Sequence, residues 1–340
     1  MKMAIFGATG QVGSVMINIL EESNLEIDEL RLFASPKSAG KKLSFKGEEI
    51  IVEDSYSGNY KGIDIALFSC GKTASLELAP LVGSAGAVVI DNSSAWRMDD
   101  EVPLVVPEVN PDDLKNIKKN IVANPNCTTM IAMPVLAPIR DAAGIKRVIV
   151  TSFQAVSGAG VAGVKELSEQ TAAFGNSASQ LAFSGRAADG MEPRTFMAPI
   201  AFNVVPFAGA LASDGSGETD EEQKWRNESR KILGLPGLAV DCTCARVPVF
   251  TGHSLSLHLE LENDLEPEKA KELLAEAKSV VLTEIPTPLT AAGKNPTFVG
   301  RIRRDKTAEH GLAMFLSGDN LRKGAALNTV QIAEELSRRA

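Results

Sequence analysis

One cysteine of the sequence has neighbours that suit nucleophilic chemistry. It is Cys127, within residues 124–129, Asn-Pro-Asn-Cys-Thr-Thr. The apolar residues 121–123 predict a buried strand before it, and the apolar spacing from Met130 to Ala143 predicts a helix after it. At such a strand-to-helix turn, backbone N–H groups and the helix dipole stabilise a thiolate and a developing oxyanion. A lone cysteine is more often a small buried hydrophobic residue, but these neighbours favour a nucleophile.

A thiol nucleophile needs a nearby group that exchanges protons near neutral pH. His253 is the best placed of the three histidines, because it follows Gly252 at the start of a predicted strand whose residues 255–261 alternate leucine with polar side chains. Arg246, seven residues earlier, could hold a substrate carboxylate with both arms of its guanidinium. Gln154, at the end of another predicted strand, either orients a substrate carbonyl or amine or is an ordinary strand-end polar residue.

The first elements of the chain have the form of a nucleotide-binding turn. Apolar residues 3–6 predict a strand, residues 7–13 (Gly-Ala-Thr-Gly-Gln-Val-Gly) predict a turn, and an amphipathic helix follows. Glycines let the backbone approach a pyrophosphate, and N–H groups at the start of the helix bind it. The spacing is a variant of the dinucleotide fingerprint, and its candidate cofactor residues are Gly7, Thr9, Gly10, Gln11 and Val12.

The residues after the second predicted strand, 30–34, bear on the choice between NAD and NADP. An NAD enzyme usually has an Asp or Glu here that binds the ribose 2′-hydroxyl. The sequence has Ser35, Lys37 and Ser38 instead, and a cation between two hydroxyl groups suits a 2′-phosphate. The segment therefore favours NADP, and the alternative is a solvated turn.

Two further segments carry charged candidates. Arg97 lies in the polar loop 91–98 after a predicted strand, where ligands gather in parallel sheets, although it could equally be a surface arginine. Glu221 and Lys224 lie three residues apart in a helix predicted over 219–233. Composition alone predicts a surface ion pair for them.

Alternating strands and helices in the first part of the chain predict an α/β fold with a doubly wound, Rossmann-type parallel sheet. The second part predicts an α+β domain, with an amphipathic helix over 271–281. We expect a last helix at 321–339 to return to the first domain, since its apolar face would otherwise be uncovered. The expected domains are 1–126 with about 319–340, and 127–318.

Bulk composition excludes several classes of protein. A chain of 340 residues with 44% hydrophobic and 23% charged residues is typical of a globular enzyme of two domains. The net charge of -8 argues against a nucleic-acid binder, and neither a polybasic patch nor a long apolar run indicates a membrane protein. The four cysteines lack zinc-ligand spacing, which predicts no metal site. Without a secretion signal, we expect reduced thiols and a cytoplasmic protein.

A nicotinamide nucleotide site, a thiol, a histidine and arginines for anionic groups together suit the interconversion of an acyl phosphate and an aldehyde. The thiolate displaces phosphate, and the resulting thioester accepts a hydride and releases the aldehyde. The residues therefore predict an oxidoreductase that acts on a small anionic substrate.

Over nearly its whole length, the sequence resembles the aspartate-semialdehyde dehydrogenase family. The cysteine motif and the glycine–histidine motif are specific in combination, and the other segments support them. The matching segments are 7–13, 124–129, 152–160, 221–224, 246–253 and 319–326.

The resemblance implies roles for these candidates. Cys127 would be the thioester nucleophile, His253 the general acid/base and Gln154 the residue that orients the intermediate. Arg246 and Glu221 would bind the carboxylate and the amino group of the substrate. The phosphate site would consist of Arg97, Asn126 and Lys224, the 2′-phosphate site of Ser35, Lys37 and Ser38, and further cofactor contacts of Ser157, Gly158 and Asn320.

The implied reaction is NADPH-dependent reduction of L-aspartyl 4-phosphate to L-aspartate 4-semialdehyde and phosphate, in lysine, threonine, methionine and diaminopimelate biosynthesis. Family members are homo-oligomers, commonly dimers, joined through the second, catalytic domain. Lys37 stands where arginine is common in the family; it keeps the charge but lacks the bidentate fork. One alternative is an N-acetyl-glutamyl-phosphate reductase of similar layout. The other is a non-catalytic homologue, which the presence of both Cys127 and His253 argues against.

Overall fold

The computed structural model describes residues 1–56 and 58–339, which form two compact units. The first unit comprises residues 1–137 and 227–237 and the C-terminal segment that begins at Leu321. The second unit comprises residues 138–226 and 238–320.

The first unit is built on a parallel sheet. Its elements in chain order are β1 (Lys2–Phe6), α1 (Gln11–Glu22), β2 (Glu29–Ala34), β3 (Lys42–Phe45), β4 (Glu48–Ile51), β5 (Glu53–Asp54), β6 (Ile65–Phe68), α2 (Lys72–Ser84), β7 (Val88–Asp91), β8 (Ile121–Ala123) and α3 (Cys127–Ala143). The strand order is β5-β2-β1-β6-β7-β8, and β3 and β4 form a separate antiparallel pair. Helix α3 begins in this unit and ends in the second.

The second unit is built on a mixed sheet. Its elements are β9 (Ile145–Gln154), α4 (Gly160–Phe174), α5 (Asp220–Leu233), β10 (Ala239–Arg246), β11 (His253–Leu261), α6 (Pro267–Ala275), β12 (Val280–Leu282), α7 (Pro288–Ala291), β13 (Thr297–Arg304) and β14 (Gly311–Gly318). The strand order is β10-β9-β11-β14-β13-β12. Strand β10 runs parallel to β9, whereas β11 runs antiparallel to it. The last part of α5, from residue 227, belongs to the first unit.

The C-terminal segment supplies part of the core of the first unit. A π-helical turn at Arg322–Ala326 leads into α8 (Leu327–Arg339). Val330 of α8 and Met16 of α1 belong to the same buried cluster as Ile5 of β1. Helices thus cover the sheet, as the nearly continuous burial of its strands requires.

The predicted fold class is confirmed, with a Rossmann-type sheet, a second sheet domain and a C-terminal helix in the first unit. The unit boundary differs from the expected one after Asn126, because the first unit extends to Ala137 and also holds 227–237. Residue 340, the last of the expected segment 319–340, lies outside the described residues.

The predicted bounds of the helix at 271–281 are wrong, because the helix spans Pro267–Ala275. Pro267 occupies the first turn of α6, where a proline needs no N–H partner, and the helix ends at Ala275. Ser279 then has φ 62°, and Val280 pairs with Thr297 of β13. The apolar residues at 280–282 therefore belong to a strand at the edge of the sheet rather than to the helix.

Candidate active site

Cys127 is the first residue of α3, directly after the turn that follows β8. Asn126 caps this helix, because its Oδ1 accepts from the backbone N–H of Thr128 at 3.0 Å and from the Thr128 hydroxyl at 2.7 Å. Cys127 is partly exposed, whereas Asn126 and Thr128 are buried. The predicted placement of the thiol at a helix N-terminus is confirmed, and the helix dipole there favours a thiolate.

Asn124 holds the same turn through both ends of its amide. Its Nδ2 donates to Asn92 Oδ1 at 2.7 Å, and its Oδ1 accepts from Asn328 Nδ2 of α8 at 2.7 Å. Asn124 and Asn328 are both fully buried, so each of these hydrogen bonds satisfies a group that water does not reach. The C-terminal helix is thereby bonded to the turn that carries Cys127, and nothing in the sequence around Asn328 signalled this contact.

Arg97 is buried rather than a surface arginine, with 7% exposure. Its Nε donates to the carbonyl of Asn124 at 2.9 Å and its Nη2 to the carbonyl of Asn92 at 2.7 Å. Its Nη1 lies 3.0 Å from Glu228 Oε1. Glu228 also accepts from the backbone N–H of Asn126 at 2.6 Å. The structure thus brings Arg97 and Asn126 together, through a carboxylate that the sequence interpretation missed.

The glycine-rich turn after β1 is tightly packed. Gly7 has φ 87°, and a Cβ there would lie 2.3 Å from the carbonyl oxygen of Ser69. A Cβ on Gly13 would lie 2.3 Å from the carbonyl oxygen of Gly7. Gly10 precedes α1 without a side-chain cap, so the first N–H groups of this helix remain available to an anion. Gln11 Oε1 is buried without a hydrogen-bond partner among the described residues. This cradle fits a dinucleotide pyrophosphate.

The other cofactor candidates of the first unit lie in accessible positions. Thr9 and Val12 are half-buried beside the glycine turn. Ser35 and Lys37 are exposed just after β2, and Ser38 donates its N–H to the Ser35 carbonyl at 2.8 Å, which closes a turn. A cation and two hydroxyl groups in an accessible turn at the carboxyl end of a strand fit a 2′-phosphate.

In the second unit, three candidates lie at the same end of the sheet, where β9 and β10 end and β11 begins. Gln154 ends β9 and Arg246 ends β10, and the two residues are paired neighbours because these strands are parallel. His253 begins β11. Because β11 runs antiparallel to β9, its first residue lies beside the last residues of β9. Gln154 is fully buried; its Nε2 donates to Ser152 Oγ at 3.1 Å, whereas its Oε1 is buried without a partner among the described residues.

The backbone fixes the tautomer of His253. The N–H of Ala155 donates to His253 Nδ1 at 2.9 Å, so in the neutral ring the proton resides on Nε2. Burial, and then the positive charge of Arg246, hold the pKa of His253 well below its ordinary value. His253 Nε2 is buried with no partner among the described residues. The neutral imidazole therefore presents an N–H donor for which the unit supplies no acceptor.

Gly158 leaves space beside these side chains. A Cβ at Gly158 would lie 2.6 Å from Arg246 Nη1 and 3.2 Å from His253 Nε2. Arg246 is 8% exposed and donates from Nη1 to the Ala155 carbonyl at 3.1 Å. A guanidinium and an imidazole N–H beside a residue without a side chain can bind a small anion.

Ser157 and Asn320 hold the segment that leads into His253. Asn320 Nδ2 donates to Ser157 Oγ at 2.9 Å, and Asn320 Oδ1 accepts from the N–H of Gly252 at 2.9 Å. Both side chains are 3% exposed. The structure therefore shows a positioning contact for this pair.

Glu221 and Lys224 form an ion pair in the first turns of α5, with Lys224 Nζ 2.8 Å from Glu221 Oε1 and 2.6 Å from Asp220 Oδ2. Their side chains are 12% and 23% exposed, so this is a half-buried pair rather than a fully solvated one. Burial lowers the pKa of Lys224, but the two carboxylates outweigh that effect and leave it raised. The ammonium group is therefore held charged.

Of the other three cysteines, Cys70 is half-buried, and Cys242 and Cys244 are buried. Burial, with the nearby Asp91 carboxylate, raises the pKa of Cys70 to about 12. Cys242 and Cys244 lie on β10 with their sulfur atoms 3.6 Å apart. Within residues 1–56 and 58–339, no group of three or more His, Cys, Asp or Glu side chains could hold a metal ion. In the same ranges, no helix has the length and apolar character to cross a membrane.

Two family models match the chain. Residues 2–117 match the semialdehyde dehydrogenase NAD-binding domain, and residues 136–323 match the semialdehyde dehydrogenase dimerisation domain. A nicotinamide cofactor domain thus coincides with the glycine-rich turn, whereas Gln154, Arg246 and His253 lie in the second match.

Known proteins resemble the chain over almost its full length. The aspartate-semialdehyde dehydrogenase of Corynebacterium glutamicum is 57% identical over 339 residues, which cover 98% of this chain and 98% of that protein. Aspartate semialdehyde dehydrogenase II from Vibrio cholerae, solved also in complex with ASA, has 41% identity and a TM-score of 0.92 over 99% of this chain and 98% of that one. The Candida albicans enzyme, solved with NADP, has 25% identity and a TM-score of 0.75 over 99% and 98% of the two chains. The chain therefore belongs to the aspartate-semialdehyde dehydrogenase family.

Proposed function

We propose that this protein catalyses the NADPH-dependent reductive dephosphorylation of L-aspartyl 4-phosphate to L-aspartate 4-semialdehyde. The observation that carries the proposal concerns two buried atoms beside Arg246 in the second unit. His253 Nε2 and Gln154 Oε1 have no hydrogen-bond partner among the described residues. Buried polar atoms are costly unless a ligand or water satisfies them. Membership of the family and the thiol at the start of α3 support the same reaction.

The nucleophile of the acyl-transfer step would be Cys127, in the first unit. The Cys127 thiolate attacks the acyl carbon of the acyl phosphate, a C–S bond forms, and the C–O bond to phosphate breaks. Arg97 and Asn126 would bind the departing phosphate, together with Lys224, whose charge the neighbouring carboxylates maintain. The positive end of the α3 dipole favours the oxyanion of the tetrahedral intermediate.

The side chains of the second unit would bind and orient the acyl group. Arg246 suits the substrate carboxylate because its guanidinium is a rigid fork, and Glu221 suits the amino group because its charge is opposite. Gln154 Oε1 and His253 Nε2–H are an acceptor and a donor of fixed direction. As the general acid/base, His253 would hydrogen-bond through Nε2–H to the oxygen of the intermediate and stabilise its charge until the C–S bond breaks and the aldehyde forms.

A nicotinamide cofactor, when bound, supplies the hydride that reduces the acyl carbon. We propose NADP rather than NAD because Ser35, Lys37 and Ser38 follow β2 where an acid would bind a ribose hydroxyl. Ser157, Gly158 and Asn320 are proposed as further cofactor contacts. The space beside Gly158 and the neighbouring hydroxyl group of Ser157 support these two assignments.

The biological setting is also a proposal. The reaction would serve lysine, threonine, methionine and diaminopimelate synthesis in the cytoplasm. The dimerisation-domain match at 136–323 supports a homodimer. Sedimentation would then give twice the chain mass of 36.0 kDa.

The reaction is tested in the reverse direction. NADPH formation is followed with purified protein, NADP, L-aspartate semialdehyde and inorganic phosphate, beside Cys127→Ala. As a matched control we choose Cys70→Ala, which removes a thiol whose raised pKa keeps it protonated. We expect phosphate-dependent turnover in the wild type and in Cys70→Ala, and a loss of about a thousandfold or more in Cys127→Ala.

The outcomes separate the candidate functions. Turnover that survives Cys127→Ala would refute the thioester mechanism. If the semialdehyde fails as substrate and N-acetyl-glutamate semialdehyde is used instead, the protein is the acylated-substrate reductase. If neither is used by folded, NADP-binding protein, it is the non-catalytic homologue.

A further inference from the structure

Glu228 is a buried carboxylate on the last part of α5, within the first unit, with 1% exposure. Its two oxygens are used separately. Oε1 lies 3.0 Å from Arg97 Nη1, and Oε2 accepts from the backbone N–H of Asn126 at 2.6 Å. One carboxylate thus joins the guanidinium of Arg97 to the residue before Cys127.

The remaining bonds of Arg97 leave it ready for an anion. A guanidinium has five N–H donors, and Arg97 uses one each for Glu228, the Asn124 carbonyl and the Asn92 carbonyl. One N–H on each terminal nitrogen therefore lacks a partner among the described residues. These two remaining donors on one guanidinium can bind phosphate oxygens.

Lys231, one helical turn after Glu228, holds the backbone of the same loop. Its Nζ donates to the carbonyls of Arg97, Asp99 and Val102 at 2.9, 2.8 and 2.9 Å, which uses all three protons of the ammonium group. Helix α5 therefore holds the loop that contains Arg97 at two points. Glu228 bonds to the Arg97 side chain, and Lys231 bonds to the backbone of the loop.

We propose that Glu228 is a positioning residue of the phosphate site. It fixes the direction of the Arg97 guanidinium and the place of Asn126, so that both present donors to the phosphate that leaves the substrate or, in reverse, attacks the thioester. Glu228 touches no reacting atom and acts through Arg97 and Asn126. The inference rests on the proposed function, in which Arg97 binds phosphate.

Glu228→Gln tests the inference because the glutamine side chain has nearly the same shape as that of glutamate but no negative charge. An amide has one acceptor oxygen, so its NH₂ group must face either Arg97 Nη1 or the Asn126 N–H, donor against donor. The matched control is Glu166→Gln, another carboxylate of 1% exposure, which accepts from the N–H groups of Arg194 and Thr195 in the second unit. Thermal unfolding of each variant reports its folding.

The measured quantities are the KM for phosphate and the KM for the semialdehyde in the reverse assay. In Glu228→Gln we expect the KM for phosphate to rise about tenfold or more, whereas the KM for the semialdehyde stays within about twofold. In an Arg97→Lys background, Glu228→Gln should raise the KM for phosphate by clearly less than in the wild-type background, because only the route through Asn126 remains. Glu166→Gln should change neither constant.

Several results would overturn the inference. These are an unchanged KM for phosphate in Glu228→Gln, an equal rise of both constants, or a full additional rise in the Arg97→Lys background. If Glu228→Gln does not fold, Glu228→Asp takes its place; loss of folding in both, with Glu166→Gln folded, would assign Glu228 to stability alone.

A second readout separates this inference from the proposed function. Inorganic phosphate should protect Cys127 from alkylation by iodoacetamide, and Glu228→Gln should need about tenfold more phosphate for the same protection. If the wild type shows no turnover but this shift is observed, the proposed reaction fails and the phosphate site stands. If turnover is normal and protection is the same in both proteins, the role of Glu228 fails alone.

Discussion

The backbone sets the protonation state of His253. The Ala155 N–H occupies Nδ1, and the buried position beside the Arg246 charge disfavours a second proton. A neutral ring with its proton on Nε2 can hydrogen-bond to an oxyanion and stabilise it without first becoming an imidazolium. The sequence predicted a histidine near neutral pKa, and the structure corrects this expectation.

We predict that the His253 ring stays neutral as the pH falls through 6.5, the ordinary value for histidine. The pKa of the folded state lies below that of the unfolded state, so unfolding takes up a proton between the two values. The stabilising contribution of the neutral ring is complete above about pH 6.5 and decreases as the pH falls. Nitrogen NMR of the ring resonances measures this directly.

His253→Gln identifies the His253 signals by their disappearance. It should also flatten the decrease of the free energy of unfolding below about pH 6.5, because glutamine does not titrate. A midpoint for His253 at or above the ordinary value would contradict the burial argument.

Gly158 provides a second prediction at the residue scale. Gly158→Ala places a Cβ 2.6 Å from Arg246 Nη1 and 3.1 Å from His253 Cε1, so these side chains must shift. We expect kcat/KM to fall about tenfold to a hundredfold, because small displacements of positioned groups are costly in catalysis. Gly185→Ala is the control, since a Cβ there has nothing within 4 Å. An equal effect of the two substitutions would show that the space beside Gly158 is not used.

Local sequence signals predicted the bounds of several elements well, but contacts between residues far apart in the chain could not be predicted from them. Strand β8 and the end of α3 match their predicted bounds because apolar runs and Gly144 mark them. The start of α5 follows from Thr219 and Glu222, whose reciprocal bonds form a capping box. The role of Glu228 depends on Arg97, 131 residues away, and no pattern within α5 indicates that partner.

The C-terminal segment gives a prediction at the element scale. Lys323 is fully buried; its Nζ lies 2.8 Å from both oxygens of Glu108 and also donates to Asn328 and Gln331. Lys323→Met leaves the Glu108 carboxylate buried without its cation, and we expect a loss of about 3–5 kcal/mol in the free energy of unfolding. Urea unfolding at a fixed protein concentration measures this loss.

The control is Lys269→Met, which breaks an ion pair whose side chains are 70% and 67% exposed. An exposed pair contributes about 0–1 kcal/mol. A loss in Lys323→Met no larger than in this control would mean that the buried pair does not anchor the segment.

At the scale of the whole molecule, the order of elements predicted the two kinds of sheet and the return of the last helix. The boundary between units was harder to predict. Residues 227–237 begin within α5, whose first part belongs to the second unit, and Glu228 and Lys231 bond to other residues of the first unit. No change in composition marks this boundary, whereas Lys231 contacts a loop more than a hundred residues earlier in the chain.

The thioester on Cys127 is the central claim, and its direct detection is the most informative measurement. Wild-type protein is mixed with NADP and L-aspartate semialdehyde in phosphate-free buffer, and then NADPH per subunit and the mass of the protein are measured. We predict a burst of about one equivalent of NADPH and an aspartyl adduct on the peptide that contains Cys127. Added phosphate should discharge the adduct and start steady turnover. Steady turnover without phosphate and without an adduct, or an adduct on a residue other than Cys127, would contradict the account.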